Sequence, residues 1–192
     1  MEENIFKKFV NDLMQNKSIR GFSENWANWM SVISATTCEK CLEGHGTIAP
    51  ASILEGQFEK PVNAHENCKC KWVRMRTKKV GTATNMGNNG VDCILFYYNY
   101  LPNYYITKEE ASSKGWKPKK GNLSEVCPNK VIGGNPYKNK NKKLPTASNR
   151  IWYEADINYE DDKRNRQRIL YSNDGLLFVT YDHYETFYEI TA

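Results

Sequence analysis

Apolar positions along this chain recur with a helical period first and a strand period later. Ile5, Phe6, Phe9, Val10, Leu13 and Met14 return every three or four residues, so the spacing predicts an amphipathic helix near the start. A second helix is expected from Ser23, burying Trp26, Trp29, Met30 and Ile33. Val91, Ile94, Leu95, Tyr98 and Leu101 form a further helical stripe. Thr107-Lys108-Glu109-Glu110 has capping-box spacing, in which a hydroxyl and a carboxylate satisfy first-turn amides, and Gly115 closes that helix. Asn122-Leu123-Ser124-Glu125 repeats the signature for a short helix. Past residue 150 the period falls to two, and Trp152, Glu154 and Asp156 share one strand face. More strands are expected at 168–172, 176–180 and 184–190, with a hairpin turn at Ser172-Asn173-Asp174-Gly175. Helices followed by an antiparallel meander indicate an α+β fold.

Residues 74–90 contain few large apolar side chains, and their Gly, Asn and Thr read as linker. This predicts a boundary near residue 85, with a small helical, Cys-rich region over 1–85 and a second domain over 86–192. No internal repeat is visible. A length of 192 residues permits two small domains, and 40% hydrophobic with 26% charged residues excludes a collagen or a disordered tail. No run approaches the roughly 18 apolar residues of a membrane span. Met1-Glu2-Glu3-Asn4-Ile5-Phe6-Lys7-Lys8 lacks a signal-peptide core. The chain is therefore expected to be made in the cytoplasm and exported or delivered by other means.

Charge is unevenly placed. Lys114 to Lys143 holds nine lysines against Glu125, an excess of +8, whereas from Arg150 onward five basic residues face nine acids, giving −4. The split suggests an anion-binding flank beside a carboxylate-bearing sheet; a solvated lysine face is the plainer alternative.

Cys38-Glu39-Lys40-Cys41 and Cys68-Lys69-Cys70, with His45 and His65 just inside them, offer more soft ligands than the four a structural zinc needs. Structural metal on Cys38, Cys41, Cys68 and Cys70, with His45 and His65 as alternates, is favoured over disulfides and over unlinked thiols. Cys93 and Cys127 read as small buried residues. The Cys38–Cys41 pair, His45-Gly46 and His65-Glu66-Asn67-Cys68-Lys69-Cys70 resemble the end of phage Mu F-like head-morphogenesis (minor capsid) proteins, with Glu66 where that family has proline. The resemblance covers about residues 25–72 and implies delivery or packaging, with capsid or delivery machinery as a partner.

The second part offers a strand carboxylate, Glu154, a histidine, His183, and the arginines 164, 166 and 168. Cleaving RNA through its 2′-hydroxyl needs a carboxylate to take the proton, an imidazolium to protonate the leaving 5′-oxygen, and fixed cations beside the phosphoryl oxygens. No cofactor is required, since the nucleophile belongs to the substrate. Taken singly, these residues also fit a surface turn, a solvent-facing strand position and salt bridges to Asp156.

Leu101-Pro102, Tyr105-Ile106-Thr107-Lys108, Gly115-Trp116, Lys120-Gly121-Asn122-Leu123, Ile132-Gly133-Gly134 and Lys143-Leu144-Pro145 continue into Trp152 to Tyr159, Arg164 to Ser172 and Asp182 to Phe187. With these spacings, residues 89–190 resemble the barnase-like bacterial ribonucleases. That resemblance implies a microbial-ribonuclease fold, with helices packed near an antiparallel sheet. It implies Glu154 as general base, His183 as general acid, Lys108, Arg164 and Arg168 as phosphate-binding cations, and Asp156 as a buried support for the arginines. Tyr137, Tyr184 and the loop Lys138-Asn139-Lys140-Asn141 would contact substrate. The family loop reads Ser-Asn-Arg-Glu, so Asn141 and Lys140 leave guanine preference open. Single-stranded RNA is the implied substrate, and a small acidic barstar-like inhibitor the implied protein partner of such a toxin. A catalytically inactive nucleic-acid-binding or head-assembly module is the competing expectation.

Overall fold

The computed structural model describes residues 26–30, 48–54, 68, 70–160 and 164–192. They fall into two compact units. One contains Thr77–Lys138 and Asn149–Ala192; the other contains Ser23–Arg76 and Asn139–Ser148, so far as these are described.

The larger unit is built on a seven-stranded sheet. In chain order its strands are β4 (Arg76–Lys79), β5 (Tyr105–Ile106), β6 (Val131–Tyr137), β7 (Trp152–Asp156), β8 (Arg168–Ser172), β9 (Leu177–Thr180) and β10 (Tyr188–Thr191). Their spatial order is β4-β10-β9-β8-β7-β6-β5, with β5 and β6 parallel and the run from β6 to β10 antiparallel. Three helices accompany it: α1 (Val91–Tyr98), α2 (Lys108–Ser113) and α3 (Leu123–Val126).

Register sorts the two sheet faces. Glu154 pairs with Leu170, Asp156 with Arg168, Leu170 with Phe178, and Phe178 with Glu189, so these residues share a face. The opposite face presents Ala155, Ile169, Leu177, Val179 and Ile190, which pack against Val91, Leu95 and Phe96 of α1. A second cluster, Ile106, Ala111, Trp116, Leu123, Cys127 and Ile132, seats α2 and α3. Full burial of each such aliphatic side chain contributes about 1.5–3 kcal/mol. Cys93 and Cys127 are both buried, as their small apolar character suggested.

The helix-start signals fared unequally. Thr107 and Glu110 form a complete capping box, the Thr107 amide donating to Oε2 at 3.0 Å and the Glu110 amide donating to Oγ1 at 3.2 Å. Asn122 stands at the start of α3 but makes no side-chain cap; its Oδ1 instead accepts from the Lys117 amide at 2.8 Å. The hairpin turn at Ser172–Gly175 forms, with Gly175 at φ 91°.

Three expectations need correction, and one strand has no counterpart among them. Residues 26–30 form a strand, not the helix read from Ser23, because both edges are paired. Within 74–90, read as linker, Arg76–Lys79 joins the sheet as β4 and Gly87–Asn89 makes a 3₁₀ turn. The last strand starts at Tyr188 rather than Tyr184, since His183 and Tyr184 sit at φ 65° and 72°, which extended backbone excludes. Strand β6 escaped the pattern entirely. Gly134, at φ 84°, lies in a bulge, and the Gly-Gly-Asn-Pro run reads as a turn.

Gly133 shows why that composition is needed. A Cβ there would lie 2.5 Å from Tyr105 Cδ1 and 2.7 Å from Ala155 Cβ. Gly133→Ala is expected to cost about 1–3 kcal/mol by overpacking, measured as a lowered urea midpoint. An unchanged midpoint would show that strand β5 can yield.

The smaller unit carries β1 (Trp26–Met30), β2 (Ile48–Pro50) and β3 (Lys71–Arg74), in the antiparallel order β2-β1-β3. Ala27 and Ala51 are buried against Ala49 and Trp72. The helix expected near residues 5–14, and Cys38, Cys41, His45 and His65, lie outside the described residues. The amide of Cys70 donates to Cys68 Sγ at 3.4 Å. Among the described residues no group of His, Cys, Asp or Glu is arranged to hold a metal, so the zinc reading of Cys68 and Cys70 gains no support. No described helix is long and apolar enough to cross a membrane.

Candidate active site

Strand β7 places Glu154 and Asp156 two positions apart on one face, and each meets a different set of partners. Glu154 is only 7% exposed. Its Oε1 lies 2.5 Å from Lys108 Nζ, and its Oε2 accepts from the Tyr184 hydroxyl at 2.5 Å. Lys108 opens α2 directly after its N-cap, and its amide donates to Asn135 Oδ1 at 3.0 Å. Asn135 is the β6 partner of Glu154, so strand register and helix start converge on one carboxylate. Burial raises the Tyr184 phenol above its ordinary range and the bond to Glu154 adds to the rise, keeping the hydroxyl a donor.

Asp156 is 2% exposed and organises the arginines. Arg164 donates from Nε to Oδ2 at 2.6 Å and from Nη2 to Oδ1 at 2.8 Å, a bidentate pair. The hydrogen bonds to Asp156 raise the already high Arg164 pKa, with burial opposing them. Arg168 Nε lies 2.8 Å from Asp156 Oδ1 but is poorly angled for a hydrogen bond, so that contact is mainly an ion pair. Two guanidinium groups against one carboxylate leave a net positive charge.

His183 is exposed, and its backbone amide donates to the Arg166 carbonyl at 3.0 Å. It lines an open cleft of about 630 Å³ together with Lys119, Lys120, Arg164, Arg166 and Arg168. The adjoining Tyr184 reaches Glu154, so the loop that carries the imidazole also contacts the carboxylate. Asp182 shapes the loop by accepting from the Thr186 and Glu185 amides at 2.9 and 3.1 Å and from the Thr180 hydroxyl at 2.9 Å. Although partial burial acts to raise its pKa, these hydrogen bonds hold it below the usual carboxylate range.

Tyr137 stacks on Tyr184 with ring centroids 5.1 Å apart and planes inclined by 22°. Burial pushes the Tyr137 phenol up, and the Glu154 charge adds to this. Lys138 is exposed, while Asn139, Lys140 and Asn141 belong to the smaller unit. There Asn139, at φ 41°, donates from Nδ2 to the Leu144 carbonyl at 2.7 Å and accepts the Leu144 amide at 3.0 Å. Its side chain thus holds the shape of the loop.

The structure therefore groups Lys108, Glu154, Tyr137 and Tyr184, and beside them Asp156, Arg164, Arg168 and His183. Two contributors have no role in the sequence analysis, Asn135 under Lys108 and Asp182 within the loop, whereas Lys119 and Lys120 in the cleft belong to the lysine-rich flank expected to bind anions. The spacing Asp182-x-x-x-Thr186 was the available signal for the second, since short acids cap turns two to four residues ahead. The group can hold an oxyanion, orient a proton acceptor and present an imidazole to solvent.

Residues 91–191 match a family model described as ribonuclease. A ribonuclease of Heyndrickxia coagulans is 51% identical over 102 residues, covering 53% of this chain and 94% of that protein. Ribonucleases of Bacillus intermedius and Bacillus pumilus are also 51% identical over 102 residues, and the match spans 63% of each.

Proposed function

The chain belongs to the ribonuclease family, and from that membership we propose that it is an endoribonuclease cutting single-stranded RNA by acid–base transphosphorylation. Glu154 takes the proton of the 2′-hydroxyl, and the 2′-oxygen attacks the adjacent phosphorus. The P–O5′ bond breaks as His183 donates a proton to the departing oxygen. The products are a 2′,3′-cyclic phosphate and a free 5′-hydroxyl. Water then opens the cyclic ester with the two roles exchanged. Arg164, Arg168 and Lys108 offset charge on the phosphoryl oxygens, and the attacking oxygen comes from the substrate, so the chemistry needs no cofactor.

One observation carries this reading most. A buried carboxylate, held between Lys108 and Tyr184, adjoins a guanidinium pair that shares a cleft with an exposed histidine. The +8 excess from Lys114 to Lys143 supports collection of RNA phosphates and, as a toxin's active face, docking of a small acidic barstar-like inhibitor. Lys140 and Asn141 in the base-contacting loop favour a weak preference for guanine.

The test uses a short RNA carrying one 2′-deoxynucleotide. Cleavage is expected at ribonucleotides, leaving cyclic phosphate ends, and none is expected 3′ of the deoxy position. Cutting at that position, or an all-ribose strand left intact under conditions where a Bacillus ribonuclease cuts it, would overturn the proposal.

A further inference from the structure

Asp92, in the first turn of α1, is fully buried and no described cation pairs with it. Its Oδ2 accepts the amides of Gly81 and Ala83 at 2.8 and 3.2 Å, and its Oδ1 accepts the Thr84 hydroxyl at 3.1 Å. Taking a carboxylate out of water is costly, and here the return is a fixed path for residues 81–84. The fit is close: a Cβ on Gly90 would lie 2.0 Å from Thr84 Oγ1 and 2.4 Å from Asp92 Oδ1.

The segment held this way touches both loops of the active site. The Ala83 carbonyl accepts the Tyr181 hydroxyl at 2.9 Å, and Tyr181 precedes Asp182 and His183. Lys78 Nζ lies 5.8 Å from the centroid of the same tyrosine ring. The Asn85 amide donates to Asn158 Oδ1 at 2.8 Å. Asn158, at φ 51°, in turn donates to Gln167 Oε1 at 2.6 Å, and Asn165 Nδ2 binds the carbonyls of Ile157 and Asn158. This second loop carries Arg164. The two loops meet where the His183 amide donates to the Arg166 carbonyl. Among the described residues neither loop contains a helix or a strand of the sheet, and each has side-chain residues at positive φ, so their shape depends on ties from outside.

We propose that Asp92 is a positioning residue for the ribonuclease reaction, acting through residues 81–85 as a brace that sets the His183 and Arg164 loops. This rests on the reading in which those two residues take part in the chemistry. It also makes a segment that lies ahead of the family-matched residues part of the enzyme's mechanical frame. A brace differs from a plain clasp because it sets the alignment of the acid and the phosphate-binding cation, and catalysis is sensitive to sub-ångström misplacement.

The experiment compares the full chain with Tyr181→Phe, Asp92→Asn and Asp92→Ala. Removing the Tyr181 hydroxyl is expected to lower kcat for a ribodinucleotide about fivefold, the weight of one hydrogen bond. KM should stay within about twofold, because the phosphate-binding side chains remain. Amide hydrogen exchange at His183 and Gln167 should quicken by a similar factor. Asp92→Asn should retain wild-type values, since its carbonyl can accept both backbone amides while its Nδ2 donates to the Thr84 hydroxyl. Asp92→Ala should reproduce the Tyr181→Phe loss or exceed it. A folded Tyr181→Phe protein with unchanged kcat and unchanged exchange at His183 would overturn the brace, as would an Asp92→Asn protein as impaired as Asp92→Ala. If Asp92→Ala does not fold, the other two variants decide. An inactive wild type would count against the ribonuclease reading alone, and the exchange measurement would still decide the brace.

Discussion

Glu154→Gln is expected to slow RNA cleavage by about 10²- to 10⁴-fold, the range lost when a positioned proton acceptor is removed. Glutamine keeps the length and planarity of the side chain, and its carbonyl can still accept the Tyr184 hydroxyl. It cannot take a proton from the 2′-oxygen at neutral pH. Because Lys108 is 40% exposed, losing its partner should change stability little. The partner experiment is His183→Asn, since asparagine tolerates the positive φ of 65° better than alanine does. It should lose a comparable factor through the unprotonated leaving oxygen. Single-turnover cleavage of a ribodinucleotide, with thermal melts on the same samples, separates chemistry from folding. Well-folded variants that cut at the wild-type rate would remove both residues from the mechanism.

The second large effect concerns stability and pH. Glu189 lies on β10, opposite Phe178, with 7% of its surface exposed. Among the described residues its Oε2 has no hydrogen-bond partner and no lysine or arginine pairs with it. Burial alone raises this carboxyl from its ordinary 4.5 to about 7. The folded protein therefore holds this proton more tightly than the unfolded chain does. Its contribution to stability is complete below about pH 4.5 and is lost as pH rises through 7, where the buried group must ionise. A rise of this size corresponds to about 3 kcal/mol.

Glu189→Gln removes the titration while keeping the shape. Near pH 8 the variant should be more stable than wild type by about 2–3 kcal/mol, or about 4–10 °C in Tm. At pH 4.5 the two should nearly coincide. Denaturant midpoints across this range decide the matter: parallel curves would mean that Glu189 is neutralised or hydrated in some other way.

Local signals were legible where the causal residues lie within a few positions of one another. Thr107 and Glu110 cap each other across a single turn, and Asp174-Gly175 bends a hairpin whose flanking strands already alternate. The period-two run from Trp152 to Asp156 fixes which side chains share a face before any partner strand is known. Strand β1 was misread because five residues containing two tryptophans satisfy a helical stripe as easily as a strand, and only the pairing with β2 and β3 chooses. Strand β6 is not legible because Gly133 serves a close approach of Tyr105 and Ala155, which are remote in sequence.

By itself, then, the sequence determined the α+β class, the capped start of α2 under Lys108, the strand face of Glu154 and Asp156, and the residue types that RNA transphosphorylation requires. These depend on local periodicity and on chemistry intrinsic to each side chain. Only the tertiary structure decided that Tyr184 closes on Glu154, that Asp92 ties residues 81–84 beside the His183 and Arg164 loops, and that Glu189 is buried with no counter-charge among the described residues. Each is a meeting of groups far apart in the chain, and burial and hydrogen-bond partnership exist only once the chain has closed on itself.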